Sequence, residues 1–254
     1  MLISAVSILL IQLLVGLSLT VSRSSHLWSG HSDGPNSPIE PMFITAAVAE
    51  ASVPVVWSDD FADPAAGWLP STRRTRTHQT GYAEGRYYIH KTDPDHSRLS
   101  AISLPGTYDD VSFAVDASIE RGVGNMILVL SCRRQDDLDT GYRFWVDVAR
   151  GRFRIRRGSG IDSGAELVSW ELTGALRGGG ATNRLELSCQ GTTISATING
   201  VRVADVQDDV LAYGRAAIGL QATRSTALVW FDNLAVAGRY SNERVGPIVW
   251  PAGD

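Results

Sequence analysis

Apolar and polar side chains alternate along most of the chain between Trp57 and Gly238, and turn residues separate the alternating runs. In the segment VSFAVDASI, at 111–119, apolar residues occupy every second position, so one face of an extended strand is apolar. Ten further segments show the same pattern: 84–91, 125–133, 141–148, 151–157, 166–172, 183–190, 192–198, 201–206, 216–222 and 226–236. Eleven or more strands with no helical segments between them predict an all-β fold, an antiparallel two-sheet β-sandwich or jelly roll.

The connection between segments 192–198 and 201–206 is the Asn199-Gly200 pair. Asn-Gly is the favoured pair for a two-residue hairpin in which both central residues need a positive φ. We therefore predict a tight hairpin at this point of the chain.

A second hairpin is predicted between segments 141–148 and 151–157, with Arg150 and Gly151 as a two-residue turn. Such a turn determines which residues of the two strands face each other. The expected pairs are Val148 with Phe153 and Val146 with Ile155 on the core side, and Asp147 with Arg154 and Trp145 with Arg156 on the outer side.

The chain begins with an apolar stretch, and no charged residue occurs from Leu2 to Val21. As a helix, this stretch would be about 30 Å long, which is sufficient to cross a bilayer. We predict that residues 1–22 form an N-terminal hydrophobic helix, either an uncleaved membrane anchor or a cleaved signal peptide. A flexible Ser/Pro/Gly-rich tether at 23–56, the sandwich at 57–238 and an irregular tail at 239–254 are expected to follow.

The charged residues argue against one class of partner. The chain has 23 basic and 27 acidic side chains, a net charge of −4, which provides no general attraction to nucleic acid. Of the basic residues, 22 are arginine and only Lys91 is lysine. Three of these arginines, Arg152, Arg154 and Arg156, alternate along one predicted strand and therefore share one face.

Two cysteines occur, Cys132 and Cys189, each near the end of a predicted strand. Alternation turns both toward the core, so they could meet across neighbouring strands or across the two sheets. If the body of the protein is exported, a disulfide between them is expected. The alternative is a pair of buried reduced thiols.

Four stretches of the body resemble concanavalin A-like jelly-roll modules. They are DDFADPAAGW at 59–68, GYRFWVDVARGRFRIRR at 141–157, NRLELSCQGTTISATINGVRVADVQD at 183–208 and GRAAIGLQATRSTALVWFDNLAV at 214–236. The chain most resembles laminin G-like and 3-keto-disaccharide-hydrolase-like modules of bacterial extracytoplasmic proteins. This resemblance covers about 57–238 and implies a module that binds carbohydrate or another partner, although some relatives are hydrolases.

A sugar site needs an aromatic ring for the C–H face of the sugar and planar hydrogen-bonding side chains beside it. Trp145, Arg143, Arg154 and Arg156 meet this requirement on the outer face of two paired strands. They are our candidate ligand-binding residues. The alternative is a structural ladder, in which Trp145 stacks under Arg156 and Asp147 pairs with Arg154.

A calcium site is a second hypothesis. Asp59 and Asp60 begin the domain, Asp232 lies in its last strand, and jelly rolls bring their two chain ends together. Six to eight oxygen ligands could close around a structural Ca²⁺ there. The alternative is that these carboxylates cap turns or pair with arginine.

Catalytic patterns are weak in this sequence. Glycosidases need two carboxylates that flank one bond, whereas the pairs Glu166/Glu171 and Asp205/Asp208 have odd spacings, which place their members on opposite faces of a strand. The histidines at 26, 31, 78, 90 and 96 show no zinc-binding spacing. We therefore name no catalytic residue.

The leading functional hypothesis is a non-catalytic extracytoplasmic module that binds carbohydrate or a cell-surface protein. It would be secreted or held at the membrane through residues 1–22. The alternatives are a hydrolase acting on a glycoside or keto-sugar derivative, and a structural accessory subunit of a membrane complex.

Overall fold

The structure is a computed structural model, and it describes residues 53–65, 67–70, 72–135, 140–158 and 164–241. The predicted helix at 1–22, the tether as far as residue 52 and the tail beyond residue 241 lie outside the described residues. Within the described ranges, no helix has the length and apolarity needed to span a bilayer.

The described chain is built from strands and two single-turn 3₁₀ helices, Val123–Asn125 and Val148–Arg150. The strands are β1 (Val53–Asp59), β2 (Thr72–Arg74), β3 (His78–Ala83), β4 (Arg86–Lys91), β5 (Arg98–Ser103), β6 (Tyr108–Arg121), β7 (Met126–Gln135), β8 (Thr140–Asp147), β9 (Arg152–Arg157), β10 (Ala165–Leu172), β11 (Asn183–Gln190), β12 (Thr193–Ile198), β13 (Val201–Gln207), β14 (Arg215–Ala222) and β15 (Ala227–Tyr240). All the strands predicted from alternation are present. β1, β2, β3 and β5 are additional.

The strands form two antiparallel sheets, which confirms the predicted two-sheet sandwich. One sheet has nine strands in the order β13-β12-β11-β6-β15-β4-β3-β2, with β1 also paired to β15. The other has six strands in the order β10-β9-β8-β7-β14-β5. The core fills the space between the sheets, and the predicted apolar face of β6, from Val111 to Ile119, is at most 4% exposed.

The sandwich extends slightly beyond the predicted bounds of 57 and 238. β1 begins at Val53, and its residues pair in register with the last part of β15, from Val53 opposite Tyr240 to Asp59 opposite Leu234. The two ends of the described domain therefore close as one strand pair. The backbone of residues 53–56, which the sequence assigned to the tether, donates and accepts hydrogen bonds in this ladder.

The Asn199-Gly200 hairpin is confirmed. Asn199 has φ 48° and Gly200 has φ 83°, and Ile198 and Val201 pair directly on either side of them. The asparagine side chain also holds the hairpin to the neighbouring strand β11, because its Oδ1 accepts a hydrogen bond from the N–H of Arg184 at 2.9 Å.

The turn between β8 and β9 differs from the prediction. The Asp147 carboxylate accepts a hydrogen bond from the N–H of Arg150, so Val148–Arg150 forms a 3₁₀ turn that Gly151 closes with φ 61°. Four residues therefore connect the strands rather than two. The predicted register is wrong by two residues, and Trp145 lies opposite Arg154 while Asp147 lies opposite Arg152.

The two sheets are joined covalently in this structure. Cys132 on β7 of the six-stranded sheet and Cys189 on β11 of the nine-stranded sheet form a disulfide, and both are fully buried. Their Cα atoms are 6.5 Å apart. Alternation predicted that both cysteines face the core, and the structure places them on facing strands of the two sheets.

A charged cluster anchors the chain that follows β13. Tyr142 donates a hydrogen bond to Oδ1 of Asp208 at 2.6 Å, Arg157 forms an ion pair with Oδ2, and the N–H of Val210 donates to Oδ1 at 3.1 Å. Burial by itself would raise the pKa of Asp208, but the hydrogen bonds from Tyr142 and Arg157 outweigh it and lower the pKa. The cluster therefore stabilises the ionised form.

Asp208→Asn is expected to lower the free energy of unfolding by about 2 kcal/mol at neutral pH, because it removes a charge-assisted network. Since the folded pKa of Asp208 is depressed, this contribution is complete above the unfolded pKa of about 4 and is lost as the pH falls below it. Urea unfolding at pH values on both sides of about 4 measures the difference. Asp209→Asn, at the exposed neighbouring position, is the control, and a difference that stays constant with pH contradicts the assignment.

Candidate functional site

The four predicted ligand-binding residues lie together on β8 and β9, on the face of the six-stranded sheet that is turned away from the core. Trp145 is opposite Arg154, and Arg143 is opposite Arg156. The intervening residues, such as Phe144 on β8, belong to the hydrophobic core. The structure therefore brings the predicted residues together, with cross-strand partners shifted by two positions.

Arginine and tryptophan side chains form a continuous stack on this face. The Arg154 guanidinium lies 5.2 Å from the centre of the Trp145 ring and 4.6 Å from that of Trp170. The Arg152 guanidinium lies 4.3 Å from the centre of the Trp170 ring. We refer to Arg143, Trp145, Arg152, Arg154, Arg156 and Trp170 together as the arginine–tryptophan face.

The stack changes the expected role of Trp145. Its side chain is fully buried, and Arg143 and Arg154 are only 1% and 6% exposed. The expectation that Trp145 exposes its ring as a platform for a sugar was therefore wrong, because the Arg154 guanidinium lies over the ring. The structural ladder that the sequence left as an alternative is present, with Arg154 in the place assigned to Arg156.

Trp170 also lies on this face, although strict alternation along β10 would turn it to the same side as the buried Val168. β10 pairs with β9 through two register shifts, between Glu166 and Val168 and between Val168 and Glu171. These irregularities put Trp170 beside the arginines of β9, where it is half-buried. Simple alternation along β10 contains no signal of such shifts.

Asp147 holds the other end of the stack. It is fully buried, and its Oδ2 lies 3.1 Å from both Arg150 Nη1 and Arg152 Nε. The carboxylate thereby fixes Arg152 against Trp170. Both Asp147 oxygens accept hydrogen bonds within the turn and the stack.

Four arginines gather at the opposite end of the same sheet. Arg143 on β8 faces Arg156 on β9, and Arg134 on β7 faces Arg215 on β14. Three of them donate hydrogen bonds to neutral oxygens, Arg143 to Gly158 O at 2.8 Å, Arg156 to Gly164 O at 3.2 Å and Arg134 to Ser103 Oγ at 3.3 Å. We call these four residues the arginine end of the sheet.

A separate pocket of about 510 Å³ lies at the loops that follow β2 and β4. His96 and Asp93 line it together with Arg76, and His96 Nδ1 is 2.9 Å from Asp93 Oδ2. Hydrogen bonding from the Asp95 N–H, and then from His96, lowers the pKa of Asp93. The pair can therefore hold the imidazole with its Nε2 directed away from the carboxylate.

The three carboxylates proposed for calcium are not brought together as ligands. Oδ1 of Asp59 accepts a hydrogen bond from the N–H of Phe61, and Oδ2 accepts from the N–H of Trp68 and the hydroxyl of Tyr82. Asp60 and Asp232 each accept from a nearby backbone N–H. Among the described residues, no group of three or more His, Cys, Asp or Glu side chains could hold a metal ion. Each of the three carboxylates accepts a backbone hydrogen bond, as the turn-capping alternative expects, and calcium binding stays a hypothesis.

A second aromatic cluster lies on the outer face of the nine-stranded sheet. Trp230 contacts Tyr88, with ring centres 5.7 Å apart, and Arg86, whose guanidinium lies 4.3 Å from the ring centre. Its indole N–H donates to Glu120. The adjacent Tyr87 is fully buried in the core, and burial raises its pKa to about 12.

Comparison with known proteins assigns both a family and a fold. The sequence model of one protein family, the 3-keto-alpha-glucoside-1,2-lyase-like domain, matches residues 59–237 of this chain. No protein among curated sequences matches the chain.

Several solved structures share the fold at low identity. A Bacillus subtilis protein of unknown function with a galectin-like fold is 12% identical, with TM-score 0.54 over 73% of this chain and 96% of that one. The GlcNAcα1-4Gal-releasing endo-β-galactosidase of Clostridium perfringens is 10% identical, with TM-score 0.53 over 80% of this chain and 64% of that one. The catalytic domain of an endo-1,3-β-glucanase (laminarinase) from Thermotoga petrophila is 9% identical, with TM-score 0.51 over 75% of this chain and 100% of that one.

Proposed function

Because the chain belongs to the 3-keto-alpha-glucoside-1,2-lyase-like domain family, we propose that it is a carbohydrate-binding module and that it binds its ligand without catalysis on the arginine–tryptophan face. The family description names a glucoside, and two solved structures of the same fold are named as enzymes that act on glycans. These names support a carbohydrate ligand. The choice of site depends on this chain's own residues.

The observation that carries the proposal is the Arg152–Trp170–Arg154–Trp145 stack. Tryptophan rings under two guanidinium groups fix donors that would otherwise be flexible, so little side-chain entropy is lost when a ligand binds. Arg152 keeps 32% of its side chain exposed. In this arrangement the exposed part of Arg152 contacts the sugar hydroxyl groups, and Trp170, which also stacks on the buried Arg154, positions it.

The carboxylates near this face support binding rather than hydrolysis. Asp147 is fully buried and both its oxygens already accept hydrogen bonds from Arg150 and Arg152, so it is not open to a substrate. Glu166 is opposite the outward Arg156, whereas Glu171 is opposite the core residue Phe153, so the two lie on different faces of the sheet. A glycosidase needs two carboxylates that flank one bond.

An extracytoplasmic location is part of the proposal. The disulfide between Cys132 and Cys189 supports it, because such bonds form and persist in oxidising compartments. Sequencing the N-terminus of the protein from fractionated cells tests the compartment. It also tests whether residues 1–22 remain attached as an anchor.

We expect Arg154→Gln to weaken glycan binding by about tenfold or more, since it removes the guanidinium against which both rings pack and with it the support of Trp170 and Arg152. A glycan array identifies the ligand, and calorimetry with that ligand compares the variants. Trp145→Phe is a second variant, because it keeps an aromatic ring and removes the indole N–H. Trp145→Ala is unsuitable, since truncating a fully buried tryptophan costs about 3–5 kcal/mol of stability.

The matched control is Arg202→Gln, an exposed arginine on the nine-stranded sheet. Equal weakening by Arg202→Gln and Arg154→Gln would place the site elsewhere. A natively folded protein that binds no glycan would remove the proposal.

A second candidate function is a lyase that acts on a keto-sugar, favoured by the family description and by the His96–Asp93 pair in its pocket. A 1,2-lyase acting on a 3-keto-glucoside needs a base that removes the proton from the carbon next to the ketone. His96 Nε2 could be that base, with Arg76 beside it in the pocket. Turnover of a 3-keto-glucoside that is lost in His96→Gln would establish this function in place of the non-catalytic one.

A further inference from the structure

We propose that the C-terminal segment, residues 242–254, packs across the outer face of the six-stranded sheet and covers it as a third layer. The face is centred on one row of outward residues from four neighbouring strands. Gly219 lies opposite Ala101 and Val129, and Val129 lies opposite Trp145. This row is apolar throughout, whereas the outer face of an antiparallel sheet that meets water is usually polar.

The outward residues of this face are buried, although they lie outside the core between the two sheets. Val129 and Ala217 are 1% exposed and Trp145 is fully buried, yet none of the three belongs to the core cluster. Along β8 and along β14, seven consecutive residues are buried. A strand with one face in water shows alternating burial, so both of these strands are covered on two sides.

The nine-stranded sheet provides the comparison. Along β6, half-buried outward residues alternate with buried inward ones from Val111 to Ile119. The described strands all belong to the two sheets, so none of them forms a layer over Gly219 and Val129. Arg154 covers the Trp145 ring, but glycine and valine have no long side chain with which to cover themselves. The row therefore fits a cover that comes from outside the described residues.

The C-terminal segment has the starting point, the length and the composition for this layer. The Ser241 N–H donates to the carbonyl of Thr107, in the short loop that follows the edge strand β5. The 13 residues after Ser241 span about 40 Å when extended, whereas the row from β5 to β8 is about 15 Å wide. Prolines at 247 and 251 favour an extended chain. Four large apolar side chains can cover the row: Val245, Ile248, Val249 and Trp250.

Trp145 offers a polar partner for such a segment. Its indole Nε1 is buried and has no hydrogen-bond partner among the described residues. A buried donor without an acceptor is costly, and a backbone carbonyl of a chain that crosses the row can accept from it. Arg152 and Trp170, the more exposed part of the proposed glycan site, lie beyond this row on β9 and β10, so the third layer leaves them open.

Photo-crosslinking in the full-length protein tests this placement. The photoreactive residue p-benzoylphenylalanine replaces Trp250, and mass spectrometry of the digested protein maps the cross-linked peptides. We expect intramolecular cross-links to β7, β8 or β14. The same probe in place of Val56, which is 83% exposed on β1 of the other sheet, is the matched control and should give none of these cross-links.

Other occupants of the face would give different cross-links. Cross-links from position 250 only to the nine-stranded sheet, or only to a second copy of the chain, overturn the proposal. So does the absence of any cross-link from position 250 to the six-stranded sheet. The probe in place of Phe43 examines the segment that precedes β1, and cross-links to β7 or β14 from position 43 alone would assign the cover to that segment instead.

A variant with Ile248→Ser and Trp250→Ser provides a second measurement. Because its C-terminal segment loses two large apolar side chains, we expect the melting temperature to fall by about 5 °C or more. Fluorescence of the dye ANS should rise as the row around Val129 becomes exposed. Val56→Ser, at an exposed apolar position, is the control and should change neither value. An unchanged melting temperature and dye fluorescence in the double variant would contradict the third layer.

Discussion

Replacement of both cysteines, Cys132→Ala with Cys189→Ala, is expected to lower the free energy of unfolding by about 4 kcal/mol. The disulfide closes a loop with a sequence separation of 57 residues, and the chain entropy it removes from the unfolded state corresponds to about that value. The bond also links β7 to β11, so it joins the two sheets as well as two distant parts of the chain. Guanidinium unfolding of the oxidised protein and the variant measures the difference.

A reducing agent provides the control for this prediction. It should destabilise the natural protein by a similar amount and leave the double alanine variant unchanged, because the variant has no bond to break. A natural protein whose unfolding midpoint is the same with and without reductant would show that the disulfide contributes nothing. The disulfide would then also no longer support an extracytoplasmic location.

Asp59→Ala is expected to lower the free energy of unfolding by about 3 kcal/mol, which is the second large effect. The Asp59 carboxylate is 9% exposed and accepts hydrogen bonds from Phe61 N–H at 2.8 Å, Trp68 N–H at 2.9 Å and Tyr82 Oη at 3.1 Å. Removing it leaves these donors without their acceptor in the corner that leads out of β1. A Cβ on Gly67 would collide with the Tyr82 ring, so the same corner is closely packed.

Asp60→Ala is the matched control for the corner, since Asp60 is exposed and accepts one hydrogen bond, from Ala62 N–H at 3.1 Å. We expect Asp60→Ala to lower the free energy of unfolding by less than about 1 kcal/mol. Thermal melting with Ca²⁺ and with a chelator tests the earlier calcium hypothesis in the same experiment. A calcium-dependent rise in melting temperature that both alanine variants abolish would contradict the capping role and restore a metal site.

Much of the fold was predictable because strand alternation is local. The apolar face of β6, the Asn199-Gly200 hairpin and the core-facing cysteines depend on residues a few positions apart. β2, β3 and β5 were missed because they are short and contain many polar residues, such as His78 and Gln79 in β3. The β8–β9 register was missed because the Asp147 side chain folds the turn, and no two-residue rule includes that contact.

The candidate site was predictable only in part. Alternation placed Arg154 and Trp145 on one outward face, but their burial depends on contacts between strands, such as that of the Arg154 guanidinium with the Trp145 ring. Trp170 joined the site through register shifts in β10. Burial and stacking are properties of neighbouring strands, and alternation within a single strand contains no information about them.

The sequence by itself determined a two-sheet antiparallel architecture, the Asn199-Gly200 hairpin and the inward direction of both cysteines. Side-chain alternation and positive-φ turns are short-range properties, so residues a few positions apart are sufficient to predict them. Only the tertiary structure decided which strands became neighbours. It thereby placed Arg134, Arg143, Arg156 and Arg215, from four different strands, at one end of a sheet, and it gave the Asp59 carboxylate three hydrogen-bond donors. The physical reason is that contacts between distant segments depend on strand order and register, which backbone pairing and core packing select together.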